Sequence, residues 1–130
     1  MSPKEAGISA MHQTLVDQLK NNGHLRSPLV EAAFRAIPRH LFLPGVALNE
    51  VYRDQAIATH SVAGEVVSSS SQPTIMAIML EQLHLQPGYR VREIGSGTGY
   101  NAALIAHIVG ETGEVVTIDI DQDIVDAAPA

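Results

Sequence analysis

The segment Glu93-Ile94-Gly95-Ser96-Gly97-Thr98-Gly99-Tyr100 constrains this chain more than any other feature. It lies where a run that reads as a strand, Tyr89 to Ile94, hands over to a run that reads as a helix, Thr98 to Val109. Glycine lets the backbone turn with positive φ. It also removes the side chains that keep a ligand away from the main chain and the helix N-terminus. A turn at Gly110 to Gly113 follows, then a second strand, Glu114 to Ile118, and the opening of another helix, Asp121 to Ala128. Strand, helix, strand is the βαβ unit, whose strands run parallel, so the fold class is α/β.

Upstream the pattern is helical. Met11, Leu15 and Leu19 recur at steps of four in a helix expected from about Ala10 to Asn22, with Gly23 placed to end it. Ser27-Pro28 opens a second helix, serine capping the free amides and proline suiting the first position, which runs through Val30, Phe34 and Ile37 to Pro38. From Val51 to Ser71 the periodicity is poor and reads as a long loop or an irregular pair of strands. Pro73 opens a third helix, expected to bury Ile75, Met79 and Leu83 along one face, with Met76 and Leu80 widening it, before Pro87-Gly88 turns the chain. Parallel strands normally lie inside a sheet covered on both faces, and only two strong candidates are supplied here, so Val115, Val116 and Ile118 are expected to present an unpaired edge unless another segment, another chain or a missing C-terminal half covers them. We read the chain as a truncated or proteolysed one, prone to self-association through that edge.

Charge narrows the ligand. Residues 1–60 hold six basic against five acidic residues, 61–130 two against nine, and the formal net charge is -6. A phosphate-binding surface needs clustered Lys and Arg, so no nucleic-acid partner is expected. Asp119 ends the second strand twenty residues beyond Gly99, where a carboxylate can accept both hydroxyls of an adenosine ribose. A dinucleotide cradle wants GxGxxG, but the glycines fall at 95, 97 and 99 and Tyr100 follows them. Glu93, an acid beside the loop, points instead to a ligand carrying positive charge, such as the methionine ammonium of S-adenosylmethionine.

The six histidines show no tight ligand spacing, and without cysteine no metal site is expected. The longest aliphatic stretch, Ile75 to Leu80, is too short to cross a bilayer, and the N-terminus lacks the apolar core of a signal peptide. The expectation is a cytoplasmic protein with no membrane partner.

Several segments together resemble the protein-L-isoaspartate O-methyltransferases, which use S-adenosylmethionine on a Rossmann-like fold. Ile37-Pro38-Arg39-His40-Leu41-Phe42-Leu43-Pro44, followed by Tyr52-Arg53-Asp54, is similar to that family's N-terminal signature. Ser71-Gln72-Pro73 with Ile75 and Ala77 resembles its active-site segment, and Glu93 to Tyr100 its glycine loop. The resemblance implies that Ser71 sits at the methyl-transfer site and that Ser69, Ser70 and Gln72 line the cofactor pocket. Glu93, Gly95, Ser96, Gly97, Gly99, Asp119 and Ile120 complete the expected cofactor-binding set. It further implies an N-terminal helical subdomain with the active-site loop over residues 1–70, and the first part of the cofactor domain over 71–130. The substrate would be an aspartyl or isoaspartyl carboxylate of a peptide or protein.

Departures are visible. The family has Thr and Ile where Ser69 and Ser70 stand and His or Tyr where Thr74 stands, and its loop from Asp54 to the serine is about five residues shorter. The serine-rich loop is similar to that of actinobacterial relatives that methylate aspartates in ribosomally made peptides. Arg39 is expected to pair with an acid across the subdomain or to reach a substrate carboxylate, and His40 to pack or hydrogen-bond. Two other functions stay open at this point: a nicotinamide dehydrogenase domain, which Tyr100 disfavours, and a non-catalytic peptide-binding module. Residues 1–130 alone are expected to be inactive, because further strands would be needed to hold the adenine and close the cleft.

Overall fold

In a computed structural model, which describes residues 1–129, the chain starts with a capping box. Ser2 Oγ accepts from the Glu5 amide at 3.1 Å while the Ser2 amide donates to Glu5 Oε2 at 2.7 Å, and Pro3 takes the first helical position. Helix α1 (Pro3–Asn21) therefore begins well before Ala10, the residue at which apolar periodicity becomes readable. Helix α2 (Pro28–Ala36) starts as expected, with Ser27 Oγ accepting from Val30 N at 3.2 Å. A 3-10 turn (Arg39–Phe42) and a short helix α3 (Leu48–Val51) lead to strands β1 (Ile57–Val62) and β2 (Glu65–Ser70). These form an antiparallel hairpin with register shifts around His60, the irregular pair among the two expected alternatives.

Helix α4 (Pro73–Leu83) buries Pro73, Met76, Ala77 and Leu80, whereas Ile75, Met79 and Leu83 are about half exposed. The expected face is thus corrected. The helix is apolar nearly all round, so spacing alone left two rows available, and contact with α1 and α2 selects the row through Met76 and Leu80. Strand β3 (Arg90–Ile94), helix α5 (Tyr100–Val109) and strand β4 (Glu114–Ile118) form the βαβ unit, and a last helix, α6 (Gln122–Ala127), follows. β3 and β4 pair in parallel, Arg90 opposite Glu114 through Ile94 opposite Ile118.

One apolar cluster draws on both ends of the chain. Val16, Leu19, Val30 and Phe34 from α1 and α2 pack with Met76, Leu80, Leu104, Ile105 and Ile108 from α4 and α5, and Val91 and Val115 of the sheet lean on it. The opposite face of the sheet stays open, with Ile94 84%, Ile118 48% and Val116 43% exposed. Val115 is half-buried, so only part of the predicted edge is bare. Among the described residues no helix is long and apolar enough to cross a membrane.

Candidate functional site

The parallel ladder carries the chain into the glycine bend, where the Gly95 amide donates to the Ile118 carbonyl at 2.7 Å. Gly95, Gly97 and Gly99 then take φ of 90°, 54° and 89°, a region L side chains rarely enter, and α5 starts at once. A Cβ on Gly95 would meet open space, and one on Gly97 would sit 3.9 Å from the Ser69 carbonyl oxygen. The bend is therefore open above Gly95, and the serine run faces it at Gly97. Gly99 is closed in, a Cβ there lying 3.5 Å from the Ala128 Cβ, and Ser96 is buried.

Asp119 is beside the bend. Its Oδ2 accepts from the Gly97 amide at 3.3 Å and its Oδ1 from the Asp121 amide at 3.2 Å. Main-chain donors, that of Asp121 foremost and then those of Gly97, Ile120 and Ser96, hold its carboxyl below the usual range, so it is ionised at neutral pH. Glu93 is tied differently: Oε1 accepts from the Thr117 hydroxyl at 2.6 Å and Oε2 from Asn101 Nδ2 at 2.7 Å. It braces β3 against β4 and the first turn of α5. Ile120 is fully exposed.

The serine segment is fixed from behind. Ser70 is buried, and its hydroxyl accepts from Arg39 Nη2 at 3.4 Å; the exposed Ser71 offers its carbonyl to the same nitrogen at 3.1 Å. Gln72 Nε2 donates to the Asp54 carbonyl at 3.3 Å. Asp54 in turn caps α4, accepting from the Thr74 amide at 2.9 Å and the Thr74 hydroxyl at 2.5 Å. Sequence reasoning missed this cap because donor and acceptor are twenty residues apart.

Arg39 corrects an expectation. Rather than pairing with an acid, it donates to carbonyls and to one hydroxyl; burial pushes its pKa below the ordinary guanidinium value. His40 hydrogen-bonds as expected, its Nδ1 lying 2.6 Å from the Tyr52 hydroxyl.

A cavity of about 290 Å³ opens between these parts, lined by Phe42, His60, Gly97, Thr98, Asp123 and Ile124 among others. At its edge His60 Nε2 lies 3.2 Å from Asp121 Oδ2 and links the hairpin to the turn that holds Asp119.

A family model described as protein-L-isoaspartate(D-aspartate) O-methyltransferase matches residues 10–130. Among relatives, a protein-L-isoaspartate O-methyltransferase of Thermotoga maritima is 43% identical over 100 residues, covering 76% of this chain and 31% of that protein. Protein-L-isoaspartate O-methyltransferase 1 of Rhodopseudomonas palustris is 38% identical over 130 residues, 100% of this chain and 50% of its own length. A solved structure titled protein-L-isoaspartate O-methyltransferase superposes with TM-score 0.80 at 39% identity, over 90% of this chain and 36% of that one. A second, of a putative enzyme of that name from Plasmodium falciparum in complex with S-adenosyl-L-homocysteine, gives TM-score 0.74 at 23% identity, over 90% and 52%. The fold is accordingly the corresponding part of a Rossmann-like methyltransferase fold, and the chain spans between about a third and about half of the length of these proteins. With its signature segments gathered around one bend and the family model covering nearly its whole length, the chain belongs to the protein-L-isoaspartate(D-aspartate) O-methyltransferase family.

Proposed function

We propose that this chain carries the cofactor seat and acceptor loop of an S-adenosylmethionine-dependent O-methyltransferase acting on an aspartyl or isoaspartyl carboxylate of a peptide or protein. The observation that carries this reading is an ionised Asp119 beside an open glycine bend, a fit to a ribose next to a cationic ligand. When bound, the cofactor supplies a methyl group already activated by its sulfonium. What remains for the protein is placement and exclusion of water.

In this proposal Asp119 accepts from the ribose hydroxyls with Ile120 beside it. Gly95, Ser96, Gly97 and Gly99 admit the ligand to the main chain, and Glu93 adds negative charge behind the methionine end. Ser69, Ser70 and Gln72 line the pocket. Ser71 orients the acceptor by hydrogen bonding and removes no proton, since a carboxylate with a pKa of about 4 is already ionised at neutral pH. The methyl ester so formed would be open to attack by the neighbouring backbone amide nitrogen, which breaks the ester C–O bond and gives a succinimide with loss of methanol. In this proposal residues 1–70 form an N-terminal helical subdomain with the active-site loop and residues 71–130 the first part of the cofactor-binding domain, with the serine run Ser69 to Ser71 spanning the junction. Copies of the chain would also associate through the open strands β3 and β4.

Calorimetric titration with S-adenosylhomocysteine tests the seat. Binding that Asp119→Ala weakens by about tenfold or more is expected, the loss of charge-assisted bonds to the ribose. No heat and no competition at millimolar ligand would sink the proposal, and protection by NAD instead would favour a dehydrogenase domain.

A further inference from the structure

Arg39 is the largest side chain the fold hides completely, at 0% exposure. A guanidinium stays charged inside a protein, and burying it is costly unless its donors are met. Among the described residues no carboxylate lies within ion-pair distance of it. Asp54, the one carboxylate whose charge bears on it, is engaged with Thr74. The donors go to the main chain instead. Nη1 reaches the Val51 carbonyl at 2.8 Å and that of Arg53 at 3.4 Å. Nη2 reaches the Gln55 carbonyl at 3.2 Å, the Ser71 carbonyl at 3.1 Å and the Ser70 hydroxyl at 3.4 Å. Nε has no partner among the described residues.

An apolar side chain of similar volume would fill this space without the desolvation cost. It could not tie the carbonyls of two separate segments together, which the rigidly spaced N–H donors of the guanidinium do. One segment, Val51 to Gln55, contains the Asp54 that caps α4. The other, Ser70-Ser71, follows the Ser69 carbonyl that faces Gly97 and precedes the first turn of α4. Arg39 is the tie between them. Its bond to the Ser71 carbonyl fixes the peptide joining Ser71 to Gln72, and with it the direction in which the Ser71 side chain leaves the backbone.

Resting on the acceptor role proposed above for Ser71, we propose that Arg39 is a positioning residue of the methyl-transfer site: it sets the Ser70-Ser71 main chain against the glycine bend without itself touching substrate. In-line transfer depends steeply on geometry, a misplacement of about 1 Å costing on the order of a hundredfold. Lysine is no substitute, being a compact charge with three donors on a flexible stem.

The test compares the unsubstituted chain with Arg39→Lys, and with Ser70→Ala as a milder second variant that leaves the buried charge in place. Backbone hydrogen exchange is followed at residues 70–76 and across α5. Affinities are measured for S-adenosylhomocysteine, and for an isoaspartyl peptide in its presence. Arg39→Lys is expected to speed exchange at 70–76 and weaken the peptide, each by about tenfold, the scale of one lost charge-assisted hydrogen bond. Exchange in α5 and affinity for S-adenosylhomocysteine should change by less than about threefold. Ser70→Ala should shift the same residues by less. Unchanged exchange at 70–76, or faster exchange everywhere with both affinities falling together, would overturn the positioning role. Should the unsubstituted chain bind no S-adenosylhomocysteine, the function proposed above fails, while exchange at 70–76 still decides the case of Arg39.

Discussion

His12 shows how a residue in none of the sequence motifs can set a property of the chain. It is buried beneath α2, with Nε2 donating to the Phe34 carbonyl at 2.6 Å and its ring stacked 5.3 Å from that of Tyr52. Burial, aided by the neighbouring His40 and Arg35, holds its pKa below the ordinary imidazole value despite the Phe34 bond. The unfolded chain then takes up a proton near pH 6.5 that the folded chain resists, so this contribution is complete above that pH and is lost as pH falls through it. Urea midpoints are expected to decline from pH 7 to pH 5.5, with a slope from this group of at most about 1.4 kcal/mol per pH unit. The carboxyls held low, those of Glu5, Glu31 and Asp119, titrate further down. His12→Gln keeps a donor for the Phe34 carbonyl and should flatten the profile; an unchanged slope would assign it to another group. At this scale sequence is legible where the chemistry is local. Ser27 caps its own helix and the three glycines turn their own bend, so both could be read directly. Arg39 and Asp54 could not, because their partners lie up to 32 residues away.

Among elements, the β1–β2 hairpin carries local backbone strain at its turn. Its two-residue turn places Ala63 at φ 53° and Gly64 at φ 81°, both positive as a type I′ turn requires. Gly64 is suited to this, whereas alanine is not. Asparagine tolerates the left-handed region, so Ala63→Asn should stabilise the chain by about 0.5–1 kcal/mol, read as a higher urea midpoint. A loss of stability would mean that the turn is of another type. The sequence left this region open between loop and paired strands, since alternation is weak where Val62, Val66 and Val67 all remain exposed. The same physics misdirected α4, where two apolar rows competed and only the packed neighbours could choose. By contrast β4 matches its expected bounds, because Gly113 and Asp119 punctuate it on both sides.

For the molecule as a whole, the self-association proposed above would run through the open sheet. Ile94, Val116 and Ile118 stand exposed beside strand edges whose hydrogen bonds are unpaired among the described residues. Sedimentation velocity is expected to show mass rising with concentration, and Val116→Lys, which places charge on that face, should return the chain to monomer. A monomer at all concentrations before substitution would refute the association.

The shared apolar cluster also bears on how the chain comes off the ribosome. α1 and α2 emerge first, yet the residues that cover Val16, Leu19 and Phe34 arrive with α4 and α5, far later in translation. Until then those nascent helices have only each other to pack against, and the glycine bend, which joins β3 to α5, is held in place only once α4 and α5 close over them.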